Sequence, residues 1–246
     1  MNYLRENKNQ VILCILIIGF TVLGLWIRLL PMQLILGLDQ PVVLYEDPWY
    51  TLRQVEQILP HFPHYSWFDP MLSFPDGKVV DWGPVFPLFA SVLAILAGSR
   101  TQEEIVLAIG WAPVILGLLL IPLSFLLGRI IWDKKTGWIA AMLISVVGGE
   151  TLFRSFYGDV DHHIMEVVLT TLFFICYFYL FSKNFTFFSD SNQNDSRNLQ
   201  LENKRYIDLI FSHKKTDFIV ALLAGFVYYL GIMTMPTCSI VALTVG

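Results

Sequence analysis

Arg154-Ser-Phe-Tyr-Gly-Asp-Val-Asp-His-His163 lies between two apolar runs and places Asp159, Asp161, His162 and His163 within five residues. Ionisable groups at the end of a membrane span are costly and are kept for function. Carboxylate and imidazole together form a ligand set for a divalent metal. Asp161 and His163 are two apart, so an extended turn points both side chains to one side. Two ligands do not close a site, and a third is expected from elsewhere in the chain.

The composition around this stretch sets the class. The chain is 55% hydrophobic with a mean hydropathy of +0.60, against about 45–50% apolar residues in soluble domains. It reads as a polytopic membrane protein. A net charge of −4 gives no basic footprint, so nucleic acid is excluded as a partner. Cys14, Cys176 and Cys238 lie in or beside apolar runs, far apart in sequence, and read as small buried hydrophobes. There is no internal repeat, dinucleotide fingerprint or P-loop.

Apolar stretches of spanning character occur at 11–30, 105–132, 138–153, 164–181 and 218–235, near the roughly 20 residues a crossing helix needs. Arg5 and Lys8 precede the first span and favour a cytoplasmic N-terminus. Arg28, near its far end, is expected to snorkel to the interface. Residues 31–104 form a long outer loop, acidic and aromatic in its first part. Long loops of this kind carry function. Asp47-Pro48 has the residue types of a helix start, with Asp47 as N-cap. Leu52, Val55 and Leu59 then repeat at helical spacing, which predicts a short amphipathic helix. Pro75-Asp76-Gly77 predicts a tight turn.

The apolar stretch Pro84–Gly98 decides the topology. If it crosses, Lys134, Lys135 and the basic residues of 183–216 fall outside, against the positive-inside bias. If it stays at the outer interface, both basic loops are cytoplasmic. The acidic outer loop then shares a face with Asp161 and His163. The second arrangement is expected, and it supplies Glu46-Asp47 as the source of the missing ligand. The sequons Asn184-Phe-Thr186 and Asn194-Asp-Ser196 then lie on the cytoplasmic side and are expected to carry no glycan.

Four stretches together resemble the catalytic subunit of oligosaccharyltransferase, in its archaeal form. They are Glu46-Asp-Pro-Trp-Tyr50, His61-Phe-Pro-His-Tyr-Ser-Trp-Phe-Asp-Pro70, Trp82-Gly-Pro84 and Arg154-Ser-Phe-Tyr-Gly-Asp-Val-Asp-His-His163. The resemblance runs from the first span to about Met235. It implies an all-α, polytopic GT-C glycosyltransferase fold in the cell membrane, with the active site on the outer face. It implies transfer of an oligosaccharide from a polyprenyl phosphate or diphosphate to Asn of an Asn-x-Ser/Thr sequon. The implied partners are the lipid-linked oligosaccharide, an acceptor polypeptide and membrane lipid.

Asp47 is then the essential acid of the first motif, and Asp161 and His163 are paired metal ligands. Together the three would hold Mn²⁺, Mg²⁺ or Zn²⁺. Arg154 is a candidate catalytic and phosphate-binding cation, and His162 a further phosphate contact. Asp159 occupies a variable position of the motif and is expected to be solvated. Glu166, one turn after His162, is a candidate to orient a histidine. His61, His64 and His213 read as ordinary polar residues. The family's later acidic ligand, its Trp-Trp-Asp-Tyr-Gly pocket and its soluble C-terminal domain are not in these 246 residues. The chain is therefore expected to be an N-terminal portion. Met235-Pro-Thr-Cys238 replaces a Trp-Gly stretch frequent in the family.

Two other functions fit parts of the pattern. A protein O-mannosyltransferase, which also uses a lipid-phosphate sugar, would share an acidic outer loop. It would lack Asp-x-His paired with Asp-Pro-Trp-Tyr. A divalent-cation transporter would place its ligands near the bilayer midplane, where these spans are nearly free of ionisable groups.

Overall fold

The computed structural model describes residues 2–191 and 202–243, with side chains over 15–182 and 216–241. Helix α1 runs Asn2–Arg28, followed by the short α2 (Met32–Leu36) and by α3 (Asp47–Ile58). Strands β1 (Phe68–Asp69) and β2 (Lys78–Val79) pair antiparallel, Phe68 with Val79 and Asp69 with Lys78. Then come α4 (Val85–Ala97), α5 (Gln102–Ile109), α6 (Trp111–Ile131), α7 (Lys134–Val146), α8 (Glu150–Phe153), α9 (His163–Ser191), α10 (Glu202–Ile232) and α11 (Ile240–Leu243). The expected all-helical chain therefore carries one small sheet, inside the expected outer loop.

α6 is the central element and packs on α7 and α9, with α10 outside α9 and α1 against α6 and α7. α3, α4 and α5 pack together beside them. Phe86 and Ala90 of α4, Ile109 of α5, Leu120 of α6 and Ile164 of α9 share one buried cluster with Leu52 and Val55 of α3. The helical spacing of α3 holds for Leu52 and Val55, which turn inward with Ile58, while Leu59 falls at the C-cap and is partly buried. The α3 start differs by one residue. Glu46 is the N-cap, without a side-chain cap bond, and Asp47 is the first helical residue.

Among the described residues, two helices are long and apolar enough to cross a membrane, Gln102–Ile131 (α5 continuing into α6) and His163–Ser182 within α9. Ile15–Arg28, Val85–Ala97 and Thr216–Ile232 are shorter apolar helices. At 1.5 Å per residue, the 13 residues of α4 reach about 20 Å, short of a hydrocarbon core of about 30 Å. The stretch 138–153 is not one helix. α7 stops at Val146, and Val147, Gly148 and Gly149 separate it from α8. Cys176 and Cys238 are buried free thiols. The side chains of Cys14 and His213, the charged segment 183–215 and both sequons lie outside the described side chains.

Arg28 corrects the snorkelling expectation. It is fully buried and donates to the carbonyls of Gly24 (3.1 Å), Ile144 (3.1 Å) and Ser145 (3.3 Å). The last carbonyls of a helix have no partner within it. Arg28 supplies one for the end of α7.

Candidate functional site

The motif residues between α2 and α4 first build a support for α3. Asp69 is buried and accepts both Nε (2.9 Å) and Nη2 (3.0 Å) of Arg53, and the Met71 amide at 2.8 Å. These donors hold its carboxyl below the usual carboxylate range, the Arg53 bond contributing most. The Gln54 amide donates to the Tyr65 hydroxyl at 2.9 Å, and that hydroxyl donates to the Trp82 carbonyl at 3.2 Å. Trp82 meets Tyr50 edge to face. α3 is thereby fixed from two sides, and its first residue, Asp47, is fixed with it. Gly83 packs against the Met233 carbonyl so closely that a Cβ would overlap it.

A second set of contacts brings the other motif to the same place. Tyr157 is buried, with its amide on the Arg28 carbonyl at 2.9 Å and its hydroxyl on the Leu107 carbonyl at 2.8 Å. Gly158 has φ +91°, and a Cβ there would overlap Ile35. Only glycine takes that conformation readily, which explains the motif glycine. The Gly158 carbonyl accepts from the Leu44 amide at 2.9 Å. Tyr45 follows with φ +63°, a conformation that costs a non-glycine residue about 1–3 kcal/mol. Its strain sits at the turn that presents Glu46 and Asp47.

The result is an open cleft of about 600 Å³, lined by Tyr45, Glu46, Asp47, Glu150, Phe153, Arg154 and Asp159. Asp47 and Arg154, assigned to different motifs, face one space. A smaller adjoining cleft is lined by Glu150, Arg154, His163 and Glu166 among others. Arg154 lies between them. It binds Glu150 Oε1 at 2.7 Å and Asp161 Oδ2 at 3.3 Å, and stands 3.9 Å from Asp159 Oδ1.

Asp161, His162 and His163 each offer a ligand atom, all within 4.8 Å of one another. Bonds of about 2.0–2.2 Å allow two ligand atoms on one ion a separation of at most about 4.4 Å, so a small side-chain rotation closes this set. Its chemistry, one carboxylate oxygen and two imidazole nitrogens, suits a borderline divalent ion. Asp161 Oδ1 now meets His162 Nδ1 at 2.7 Å, and Oδ2 lies 3.5 Å from His163 Nε2. Glu166 holds His163 Nδ1 at 3.1 Å and accepts from Thr237 at 3.1 Å. That leaves His163 Nε2 on the Asp161 side, the arrangement of an oriented metal ligand. Glu166 Oε1 comes within 3.3 Å of His162 Nε2 but without hydrogen-bond geometry, and that buried nitrogen has no bonded partner. The residues fit a metal.

Burial alone would raise Asp161, but the hydrogen bond and charge of His162, with His163, outweigh it and hold the carboxyl below its ordinary range. Asp159 goes the other way. Burial pushes it up to about 7, against the pull of Arg154. It is fully buried and neither oxygen has a hydrogen-bond partner, which corrects the expectation that it is solvated.

Asp161, His162 and His163 thus come together, with Arg154 beside them. Asp47 lies on the cleft but outside the 4.8 Å group. His61 and His64 are exposed and away from the cleft. Glu150 was missed by the sequence reading. Its position four residues before Arg154 on a helical stretch was the available signal.

The family model of oligosaccharyl transferase STT3, N-terminal, matches residues 39–243. Dolichyl-phosphooligosaccharide-protein glycotransferase 3 of Archaeoglobus fulgidus is 38% identical over 120 residues, which cover 49% of this chain and 14% of that protein. The crystal structure of an Archaeoglobus fulgidus oligosaccharyltransferase in complex with Zn and sulfate matches with a TM-score of 0.72 at 25% identity, over 92% of this chain and 26% of that one. The archaeal oligosaccharyltransferase AglB from Archaeoglobus fulgidus, in complex with an inhibitory peptide and a dolichol-phosphate, matches with a TM-score of 0.74 at 25% identity, over 92% and 24%. The chain therefore spans about a quarter or less of the length of these relatives.

Proposed function

This chain belongs to the oligosaccharyl transferase STT3 family, and we propose that it forms the catalytic face of an enzyme moving an oligosaccharide from a polyprenyl phosphate or diphosphate to the asparagine of a sequon. The observation that carries the reading is the backbone bond from Leu44 to Gly158. It joins the two motifs and sets Asp47 and Arg154 on one cleft. The relatives' dolichol-phosphate, peptide, zinc and sulfate agree with that chemistry, sulfate being a tetrahedral oxyanion as phosphate is.

The acceptor amide nitrogen is a poor nucleophile because its lone pair is delocalised into the carbonyl. Asp47, exposed at the cleft, accepts the amide N–H bonds and turns the lone pair toward the sugar. The nitrogen–carbon bond forms as the sugar carbon–oxygen bond to phosphate breaks, the electron pair leaving with the phosphate oxygen and the proton shed by nitrogen passing to Asp47. Arg154 and His162 bind the departing phosphate, the guanidinium through charge-assisted bonds. Asp161 and His163, with Asp47, are the residues to hold a divalent cation. When bound, that cation neutralises charge developing on the phosphate. Mn²⁺, Mg²⁺ and Zn²⁺ all suit mixed oxygen and nitrogen ligands.

The chain is read as the N-terminal part of a polytopic GT-C membrane domain with its N-terminus cytoplasmic. α4 lies at the outer interface with both ends outside. In the full-length enzyme, Asp47→Ala and Asp161→Ala should each abolish glycan transfer to a sequon peptide while leaving membrane insertion intact. Wild-type turnover after exhaustive metal stripping and in chelator would sink the metal-dependent reading. Asp81→Cys and Arg100→Cys should both react with an impermeant thiol reagent added outside. Labelling of Arg100→Cys from the cytoplasm alone would separate the two motifs by a bilayer.

A further inference from the structure

Asp159 has no role in the reading above, yet its environment is the least satisfied of any carboxylate among the described residues. It is fully buried, and both of its oxygens lack a hydrogen-bond partner. Asp69, equally buried, is bonded at both oxygens. A buried polar group without a partner is costly, and an ionised one far more so.

Arg154 does not meet this need. Its Nη1 lies 3.3 Å from Asp161 and 3.9 Å from Asp159, the second too long for a hydrogen bond. Its Nε is taken by Glu150 at 2.7 Å. One guanidinium therefore faces three carboxylates. The Asp159 backbone is held in place, its amide donating to the Phe156 carbonyl at 3.1 Å and its carbonyl accepting from the Asp161 amide at 2.9 Å. Asp159 is among the residues that line the cleft with Asp47. An unpartnered buried acid there, beside an excess of negative charge, calls for a cation on the cleft side.

We infer that Asp159 is a further oxygen ligand for a divalent cation in this cleft, linking Asp47 to the Asp161, His162 and His163 group. The inference rests on the metal-site reading and extends it by a residue outside the motif's fixed positions. Two added carboxylate oxygens, from Asp47 and Asp159, shift the ligand set toward hard ions such as Mn²⁺ and Mg²⁺.

The test is Mn²⁺ binding to the purified, full-length, metal-stripped protein, followed by the electron paramagnetic resonance signal of free Mn²⁺. Asp159→Asn keeps the shape and removes the charge. It should weaken Mn²⁺ binding by about tenfold or more and shrink the Mn²⁺-induced rise in Tm. Asp159→Glu should recover part of the binding. If Asp159→Asn does not fold, Asp159→Ser carries the same comparison. Wild-type affinity in the Asn or Ser variant, with Asp161→Ala still impaired, would overturn this inference and leave the metal site standing. No Mn²⁺ binding by the wild type would overturn both.

Discussion

An arginine meets a buried aspartate in two regions of this molecule, with opposite outcomes. In the segment between α2 and α4, Arg53 meets Asp69 through two parallel bonds, and the Met71 amide completes the carboxylate. In the stretch after α8, Arg154 is divided among Glu150, Asp159 and Asp161, and Asp159 receives no hydrogen bond. The first pair is finished and acts as a brace. The second is left incomplete, and incompleteness of that kind is what a ligand can relieve. A buried ion pair is therefore not informative by itself. What separates scaffold from site is whether each oxygen already has its donor.

Removing each arginine in turn should show this most strongly. In the full-length enzyme, Arg154→Ala is expected to lower kcat/KM for a sequon peptide by about 10²–10³-fold, the range for losing one electrostatic contact to a developing charge. Arg53→Ala should stay within about threefold, less than about 1 kcal/mol of barrier. Equal losses would erase the distinction between brace and site.

Arg28 sharpens it from a third direction, as a buried cation satisfied by carbonyls without an acid. Arg28→Ala should cost about 2–4 kcal/mol, because a charge-assisted network is lost and a cavity remains. Thermal unfolding in detergent would measure this. The effect on transfer at permissive temperature should be small.

The smallest effect belongs to the brace. Asp69→Asn should cost about 1–2 kcal/mol, reduced from a fully buried pair because Arg53 is partly exposed. Asp69 has a folded-state pKa below its unfolded value. Its contribution is therefore present above an unfolded value of about 3.9 and lost as pH falls through the folded one. The stability difference between wild type and Asp69→Asn should be flat near neutral pH and vanish in acid. A difference that grew on acidification would refute the brace.

Much of this was legible in the residues, and the limits have physical causes. Leu52 and Val55 announced α3 because a helix repeats its buried face at fixed spacing. The apolar run from Ile105 to Trp132 announced α6, although the start of α6 at Trp111 did not show in it. The break of the 138–153 stretch at Gly148-Gly149 was overlooked, since apolar character continues through it. Arg28 was read from its place near a span end, whereas two of its three acceptors are 116 and 117 residues away. Asp159 was misjudged for a related reason. A loop has no fixed period, so no spacing rule tells which acid turns inward. The nearness of Asp161, His162 and His163 was visible because a few consecutive residues cannot be far apart, but the spacing pairs Asp161 with His163 and leaves His162 to a phosphate, whereas all three offer ligand atoms within 4.8 Å.

The Leu44–Gly158 bond has a consequence for how such a site is inherited. It is made by peptide groups, so the side chain at position 44 is nearly free to drift as long as it remains compatible with its neighbours. Twenty amino acids share the carbonyl, and nineteen of them the amide; only proline lacks that donor. A lineage could rewrite most of the approach to Asp47 and keep its alignment with the histidines. A single Leu44→Pro would uncouple the two motifs without touching any residue that does chemistry.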